Sequence, residues 1–241
     1  MTDTSRAEHI LIAAGPTYES IDAVRFLGNR SSGRLGSSLA DEAARRGVRT
    51  TLLLGPNAVL PAEPDVELVR FESTADLQGA LREHLASASI LVMAAAVADY
   101  RPKEEDTTPG GKRRRVKGGM TLNLEATPDL LAGCSEQSEP DQLLVGFALE
   151  PKDELMASAL RKLDRKGIDL IVANALETMD SPTINATLIG NKSRGIDFEE
   201  STGGTLTKHD FAGWLLDRIL PLAQERCSAN ATGQEQTHGT V

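Results

Sequence analysis

The sequence predicts an α/β protein: a doubly wound, Rossmann-like, mostly parallel sheet with helices on both faces. Two observations carry this. Several short β-rich runs are apolar at consecutive positions, a pattern that needs cover on both faces and that parallel sheets receive from their crossover helices. Those runs alternate along the chain with segments whose apolar residues recur at helical spacing, and such a β, α, β rhythm folds with right-handed crossovers. At 241 residues, with 40% hydrophobic and 25% charged residues, the chain has the length and composition of a globular protein with a sizeable core.

HILIAAG, His9 to Gly15, reads as the first strand, and after a polar segment of about 17 residues a helix follows over Gly33 to Arg46. Leu35, Leu39, Ala40, Ala43 and Ala44 give that helix one apolar face, and Gly47 ends it. Arg49 to Pro56, RTTLLLGP, is a second strand with its turn, and Ser73 with Asp76 forms a capping box for the next element. ILVMAAAVADY, from Ile90, is a third strand. Leu143 to Glu150, Asp153 to Gly167 and Ile168 to Asn174 continue as strand, helix and strand. Lys112 to Glu125, KRRRVKGGMTLNLE, reads as a β-hairpin around Gly118 and Gly119. Asn185 to Glu199 holds two further short runs, and a helix from about Lys208 to Glu225, capped by Thr207, closes a single domain over residues 1–225. Residues 226–241 lack apolar content and read as a disordered tail.

Composition narrows function. The formal net charge of -9 argues against broad attraction to nucleic acid or an anionic membrane, so any anion site must be local. No apolar run approaches the roughly 18 residues of a membrane span, and MTDTSRAEH has no leader pattern, so a cytoplasmic protein is expected. Cys134 and Cys227 stand alone and read as inert thiols, while four scattered histidines form neither a triad nor a metal pattern.

Ligands of doubly wound sheets bind beyond the carboxyl ends of the strands, where strand order reverses, which directs attention to polar residues that follow strands. The first strand runs into GPTYESIDAVRFLGNRSSGRLG, far longer than the usual βα loop of two to six residues. Ser31 and Ser32 can cap the helix near Gly33, and its exposed N–H groups can equally hold an anion. A nicotinamide dinucleotide site would need G-x-G-x-x-G here and an acid after the second strand; Gly33 and Gly36 are the only glycines of NRSSGRLG, and Leu54 to Asn57 hold no acid. An NAD(P)-dependent oxidoreductase is therefore disfavoured. Ala94, Ala95 and Ala96 place small side chains where a ligand could lie on the backbone, and Asp99 after them is either a turn former or a metal ligand. The basic run Lys112 to Lys117 beside Pro109, Gly110 and Gly111 is either solvated charge or a mobile flap over phosphates. Lys162 and Lys166 share a helix face, as cations near a helix end or as phosphate ligands. Asn29, Asp99, Lys112, Lys162 and Lys166 together supply the mixture of cations and one acid that a polyphosphate with Mg²⁺ requires.

GPTYESIDAVRFLGNRSSGRLG, AAAVADYRP, the basic segment ending in ATPDLL, VGFALE and RKLDRKGIDLIVAN, in this order, resemble the phosphopantothenate-cysteine ligases over about His9 to Leu222. The I-D-x-V-R and N-x-S-S-G pieces are the most specific part of the likeness. No segment resembles the flavin decarboxylase often fused ahead of such enzymes, so a stand-alone synthetase is expected. The resemblance implies that the acid of 4'-phosphopantothenate attacks the α-phosphate of a nucleotide, releasing diphosphate, and that the amine of L-cysteine then displaces the nucleotide monophosphate.

By that resemblance Asn29 holds the acyl carbonyl of the intermediate, Arg25 assists the same step and Lys112 belongs to a flap that covers it. Asp99 lies near nucleotide and Mg²⁺, with the backbone of Ala94 and Ala95 against the nucleotide. Phe147 and the turn Thr127, Pro128, Asp129 and Leu130 contact the nucleotide, and Lys162 and Lys166 bind its phosphates. The chain departs from the usual pattern in ATPD for N-P-D, in VGFALEP for V-G-F-A-A-E-T, and in KRRR for K-I-K-K. The N-x-S-S-G and VADYRP pieces imply CTP as co-substrate, and the resemblance implies a homodimer whose added β elements help close each site. A regulatory module that binds a nucleotide without cleaving it is the non-enzymatic alternative.

Overall fold

The computed structural model describes residues 9–115, 117–179 and 181–237, with side chains to residue 230; the N-terminal residues 1–8, Val116, Asp180 and residues 238–241 lie outside the described residues. The chain runs β1 (His9–Pro16), β2 (Tyr18–Ser20), β3 (Phe26–Gly28), α1 (Arg34–Arg45), β4 (Arg49–Leu54), β5 (Glu67–Arg70) and α2 (Thr74–His84). It continues through β6 (Ile90–Ala96), β7 (Tyr100–Pro102), β8 (Leu124–Ala126), α3 (Leu130–Gln137), β9 (Leu143–Glu150), α4 (Leu155–Lys166) and β10 (Leu170–Ala175). The last elements are β11 (Thr183–Ile184), β12 (Ala186–Gly190), β13 (Glu199–Ser201), β14 (Leu206–Thr207) and α5 (Lys208–Thr237).

Eight strands form one sheet in the order β13-β12-β10-β9-β6-β1-β4-β5. The six from β5 to β10 are parallel, and β12 and β13 add antiparallel at one edge. Strand order therefore reverses between β1 and β6, the place where such sheets bind ligands.

The apolar runs are buried on both faces, as their lack of alternation requires. Ile10, Ile12 and Ala14 of β1 pack with Leu39 and Ala43 of α1 and Phe211, Leu215 and Ile219 of α5. Leu11 and Ala13 face the other way, onto Leu77 and Leu81 of α2, Leu131 of α3 and Leu163 of α4. Each large side chain so buried contributes roughly 1.5–3 kcal/mol. The expected capping box is present, Ser73 with Asp76, and Gly47 and Gly167 end their helices at φ 78 and φ 60.

Four differences from the sequence expectation have physical reasons. Lys112 to Glu125 does not fold as a hairpin on itself: Leu124 to Ala126 pairs antiparallel with Tyr100 to Pro102, and the described residues from Lys112 to Arg115 form no strand. Four consecutive cations with no apolar cover have little to gain from a ladder. The start of α1 is not capped by Ser31 or Ser32; Gly33 is the N-cap at φ 65, and Ser31 Oγ accepts only from the Gly33 N–H at 3.3 Å. The helix expected to close near Glu225 continues to Thr237, since a helix nucleated by packing propagates through a polar segment that contains no proline. Edge strand β5, the β2–β3 ladder and α3 are too short to show a period in the sequence.

At the amino end of the sheet, the fully buried Asp169 gathers three donors. Its carboxylate accepts from the Leu144 N–H at 2.7 Å, Arg194 Nε at 2.6 Å and Arg226 Nη2 at 2.7 Å. This ties α5 and the turn after β12 to β9. Asp169→Ala, which strands two guanidinium groups, is expected to cost about 3–5 kcal/mol, seen as a Tm lower by on the order of 10 °C in calorimetry. An unchanged Tm would contradict the clasp.

Candidate active site

The polar segment after β1 folds back as the β2–β3 ladder and is pinned by residues the sequence did not single out. Thr17 Oγ1 accepts from the Ala98 N–H at 2.9 Å, which joins the ends of β1 and β6. The buried Glu19 carboxylate accepts from Thr74 N and Thr74 Oγ1, at the start of α2. These contacts leave Asn29, beyond β3, across the crevice from the turn after β6, where Asn29 Nδ2 donates to Val97 O at 2.9 Å.

Two glycines then seat α1. Gly33 takes φ 65, and a Cβ there would lie 2.5 Å from Ala58 Cβ. Gly36 lies against β1 so closely that a Cβ would be 2.2 Å from Ala14 Cβ. The first turn of α1 is thus presented to the crevice with no side-chain cap on its N–H groups and with its positive dipole end facing outward.

The crevice is a cavity of 490 Å³ lined by the Asn29 to Gly36 loop, Ala94 to Asp99 after β6, the Thr127 to Leu131 turn, Phe147 and Leu149 of β9, and Lys162, Arg165 and Lys166 of α4. Asn174, Thr178, Met179, Ile184 and Lys208 close its far side. Arg30, Arg34, Lys162, Arg165, Lys166 and Lys208 make six cations around it, against the carboxylates of Asp99 and Asp129. In a chain of net charge -9 this is a local concentration of cations of the kind an anion site would need.

Asp129 caps α3 by accepting from Ala132 N, and both its oxygens accept from Lys166 Nζ at 2.6 Å. Burial opposes its charge, but the Lys166 ammonium and the Ala132 N–H hold the carboxyl below its usual range. Thr127, which stands where the usual N-P-D pattern has Asn, donates to Ala98 O at 2.5 Å and so ties the turn to the segment after β6. Leu130 is buried beneath that turn, and Phe147 packs beside the α1 and α5 core. Lys162 Nζ meets Glu150 Oε1 at 2.6 Å. Burial and the nearby Asp129 charge push the Cys134 thiol up to about 11, so it is unreactive at neutral pH.

Asp99 is exposed at the rim, and no group of three metal-ligating side chains occurs among the described residues. A lone carboxylate beside a cationic cavity fits Mg²⁺ of the kind held by one protein oxygen plus phosphates.

Arg25 and Lys112 are together, but elsewhere. They line a second hollow of 640 Å³ with Arg113, Arg114 and Arg115. Its lock is Asp22, buried in the β2–β3 turn, which accepts from the N–H groups of Val24, Arg25 and Arg113 and from Arg25 Nη1. Burial alone would raise its pKa, yet these bonds hold it at about 2. A carboxyl depressed from 3.8 gives stability that is full above the unfolded value and lost as pH falls through about 2. A carbon-detected NMR titration should therefore place the Asp22 midpoint near 2; a midpoint at 3.8 would show that the lock is open in solution.

The residues missed in the sequence are the anchors Thr17, Glu19 and Asp22 and the far wall. Asn174 carried a usable signal, since it ends a strand on the binding side of the sheet; Lys208 carried none.

Comparison with known proteins agrees with this fold. Residues 5–222 match the family model described as the DNA/pantothenate metabolism flavoprotein C-terminal domain. A protein of an unknown prokaryotic organism named cysteine/cysteine sulfinic acid decarboxylase is 42% identical over 217 residues, covering 88% of this chain and 58% of that one. The coenzyme A biosynthesis bifunctional protein CoaBC of Bacillus subtilis (strain 168) is 40% identical over 167 residues, covering 69% of this chain and 40% of that one. The chain thus spans about two fifths to three fifths of the length of these relatives. A crystal structure of the C-terminal domain of a CoaBC protein superposes with a TM-score of 0.73 at 32% identity, covering 91% of this chain and 97% of that one.

Proposed function

Because the chain belongs to the DNA/pantothenate metabolism flavoprotein C-terminal domain family, we propose that it is a ligase of coenzyme A biosynthesis, joining 4'-phosphopantothenate to L-cysteine with CTP. The observation that carries this is the single cavity at the strand-order reversal, where Asn29, the Ala94 to Asp99 turn and the lysine pair of α4 converge.

A carboxylate is a poor electrophile, and the cavity suits its activation. An oxygen of the phosphopantothenate carboxylate attacks the α-phosphorus of CTP, the bond to the β-phosphate oxygen breaks, and diphosphate leaves. The cysteine amine then attacks the acyl carbon, forms the amide, loses its proton and expels CMP. Lys162 and Lys166 neutralise the departing diphosphate; Asp99 is the residue that would hold Mg²⁺, which would supply further charge neutralisation there. Ala94 and Ala95 leave the strand end bare for the nucleotide, which lies between Phe147 and the Thr127 to Leu130 turn. Asn29 carries two N–H donors on its amide; one binds Val97 O, and the other serves the acyl oxygen as charge develops there. No covalent enzyme intermediate is required, so alignment and charge do the work, alignment alone being worth roughly 7–11 kcal/mol.

Arg25 and Lys112 act in the same proposal as a basic arm that closes on the reactants in a homodimer. Val24, Phe26, Leu27, Tyr100, Met120 and Leu124, all exposed and apolar, lie on or beside the β2–β3 and β7–β8 ladders and supply the dimer contact. The domain to residue 225 forms the synthetase unit, placed in the cytoplasm; no described helix is long and apolar enough to cross a membrane.

With CTP, Mg²⁺, L-cysteine and 4'-phosphopantothenate, the purified chain should release CMP and diphosphate in equal amounts with amide product. Product formed without nucleotide would overturn the assignment.

A further inference from the structure

The two lysines assigned to the phosphates already hold carboxylates. Lys166 Nζ sits between both oxygens of Asp129 at 2.6 Å, and Lys162 Nζ sits 2.6 Å from Glu150 Oε1. The Glu150 carboxylate is fixed from a second side, where Ser158 Oγ donates to Oε1 at 3.0 Å. Glu150 is at the end of β9 and Ser158 in α4, so strand and helix together hold the carboxylate in place. Glu150 itself is not among the residues that line the cavity.

We propose that Glu150 is a positioning residue that shares Lys162 with bound diphosphate, so that its charge weakens the hold on the leaving group and speeds its release. This rests on the ligase assignment above. An ammonium has three donors, so Lys162 can keep Glu150 while it contacts a phosphate oxygen. A full negative charge one lysine away from the diphosphate then opposes a second anion in a partly desolvated crevice. The Lys162 contact keeps the Glu150 carboxyl below its ordinary range, so the charge is present at every assay pH near neutrality.

Glu150→Gln separates charge from geometry, because the amide oxygen still accepts from Lys162 and Ser158. Isothermal titration with inorganic diphosphate and Mg²⁺ should show the variant binding about tenfold more tightly than the wild type, the direction that removal of a like charge imposes. In turnover the variant should show a lower KM for CTP together with a lower kcat and stronger inhibition by added diphosphate. Glu150→Ala should shift affinity in the same direction but less, since it also removes the acceptor that orients Lys162. Equal or weaker diphosphate binding in both variants would overturn this inference and leave the ligase assignment intact. Failure of the wild type to bind either diphosphate or CTP would overturn both.

Discussion

Asn29→Asp should leave the protein folded and cut the rate of amide formation by about 10²–10³, the range seen when one donor to a developing oxyanion is removed. Asn29 is exposed in the loop after β3, so its replacement is expected to move stability by no more than about 0.5 kcal/mol. What changes is the crevice. The amide donates to Val97 O at 2.9 Å, whereas a carboxylate would set two acceptors against each other there and remove the donor offered to the acyl oxygen. The first half reaction, assigned in the proposal to Lys162, Lys166 and Mg²⁺, should proceed. Quenched reactions of the variant with CTP and 4'-phosphopantothenate should therefore contain the acyl cytidylate, detected by mass spectrometry, and added cysteine should consume it slowly. Wild-type turnover by this variant would remove Asn29 from the chemistry.

Gly36→Ala is expected to damage both stability and catalysis. The added methyl carbon would fall 2.2 Å from Ala14 Cβ, inside any permitted contact, and the obstacle is a side chain rooted in the central strand rather than a flexible end. Helix α1 must move away from β1 by an ångström or so, and overpacking of this kind costs about 1–3 kcal/mol. The same shift carries the α1 N-terminus and the Asn29 loop with it, and a misplacement of about 1 Å near a reacting centre costs on the order of 10² in rate. Gly79→Ala in α2 is the control: its Cβ would meet nothing within 4 Å, so a helix-favouring substitution there should be neutral or slightly stabilising. Equal behaviour of the two variants would show that the close approach of α1 to β1 is dispensable.

The central sheet was legible because its signal is redundant. HILIAAG, RTTLLL, ILVMAAA, LLVGFALE and LIVANA are each apolar at consecutive positions, and each is a strand buried on both faces. Helices α1 and α4 combined an apolar stripe with a terminal glycine and were equally plain. What escaped was short or set by tertiary contact. Strand β5 is four residues at an edge, and β2 and β3 are three each, held by Thr17, Glu19 and Asp22 through partners distant in sequence. The hairpin expected over Lys112 to Glu125 failed for the same reason. The path of the basic run is fixed by Asp22, which lies 91 residues away from Arg113; the I-D-x-V-R piece marks Asp22 but not its distant partner.

The candidate site was legible in its members and not in its grouping. Asn29, Asp99, Thr127 to Leu130, Phe147, Lys162 and Lys166 all line one cavity, since each follows a strand or faces the same end of the sheet. Arg25 and Lys112 do not line it, and they share the second hollow instead. Sequence order alone carries no information about which of two neighbouring basic surfaces a residue joins. The ion pairs of Lys162 and Lys166 were likewise invisible, because Glu150 and Asp129 reach them across separate elements.

A crystal structure of the chain with CTP, Mg²⁺ and 4'-phosphopantothenate, without cysteine, tests the central claim most directly. It should show an acyl cytidylate in the crevice between β1 and β6, with its acyl oxygen within hydrogen-bond reach of Asn29 Nδ2 and the diphosphate end at Lys162 and Lys166. Nucleotide bound in the hollow of Arg25 and Lys112 instead, or a crevice that takes up neither reactant, would contradict it.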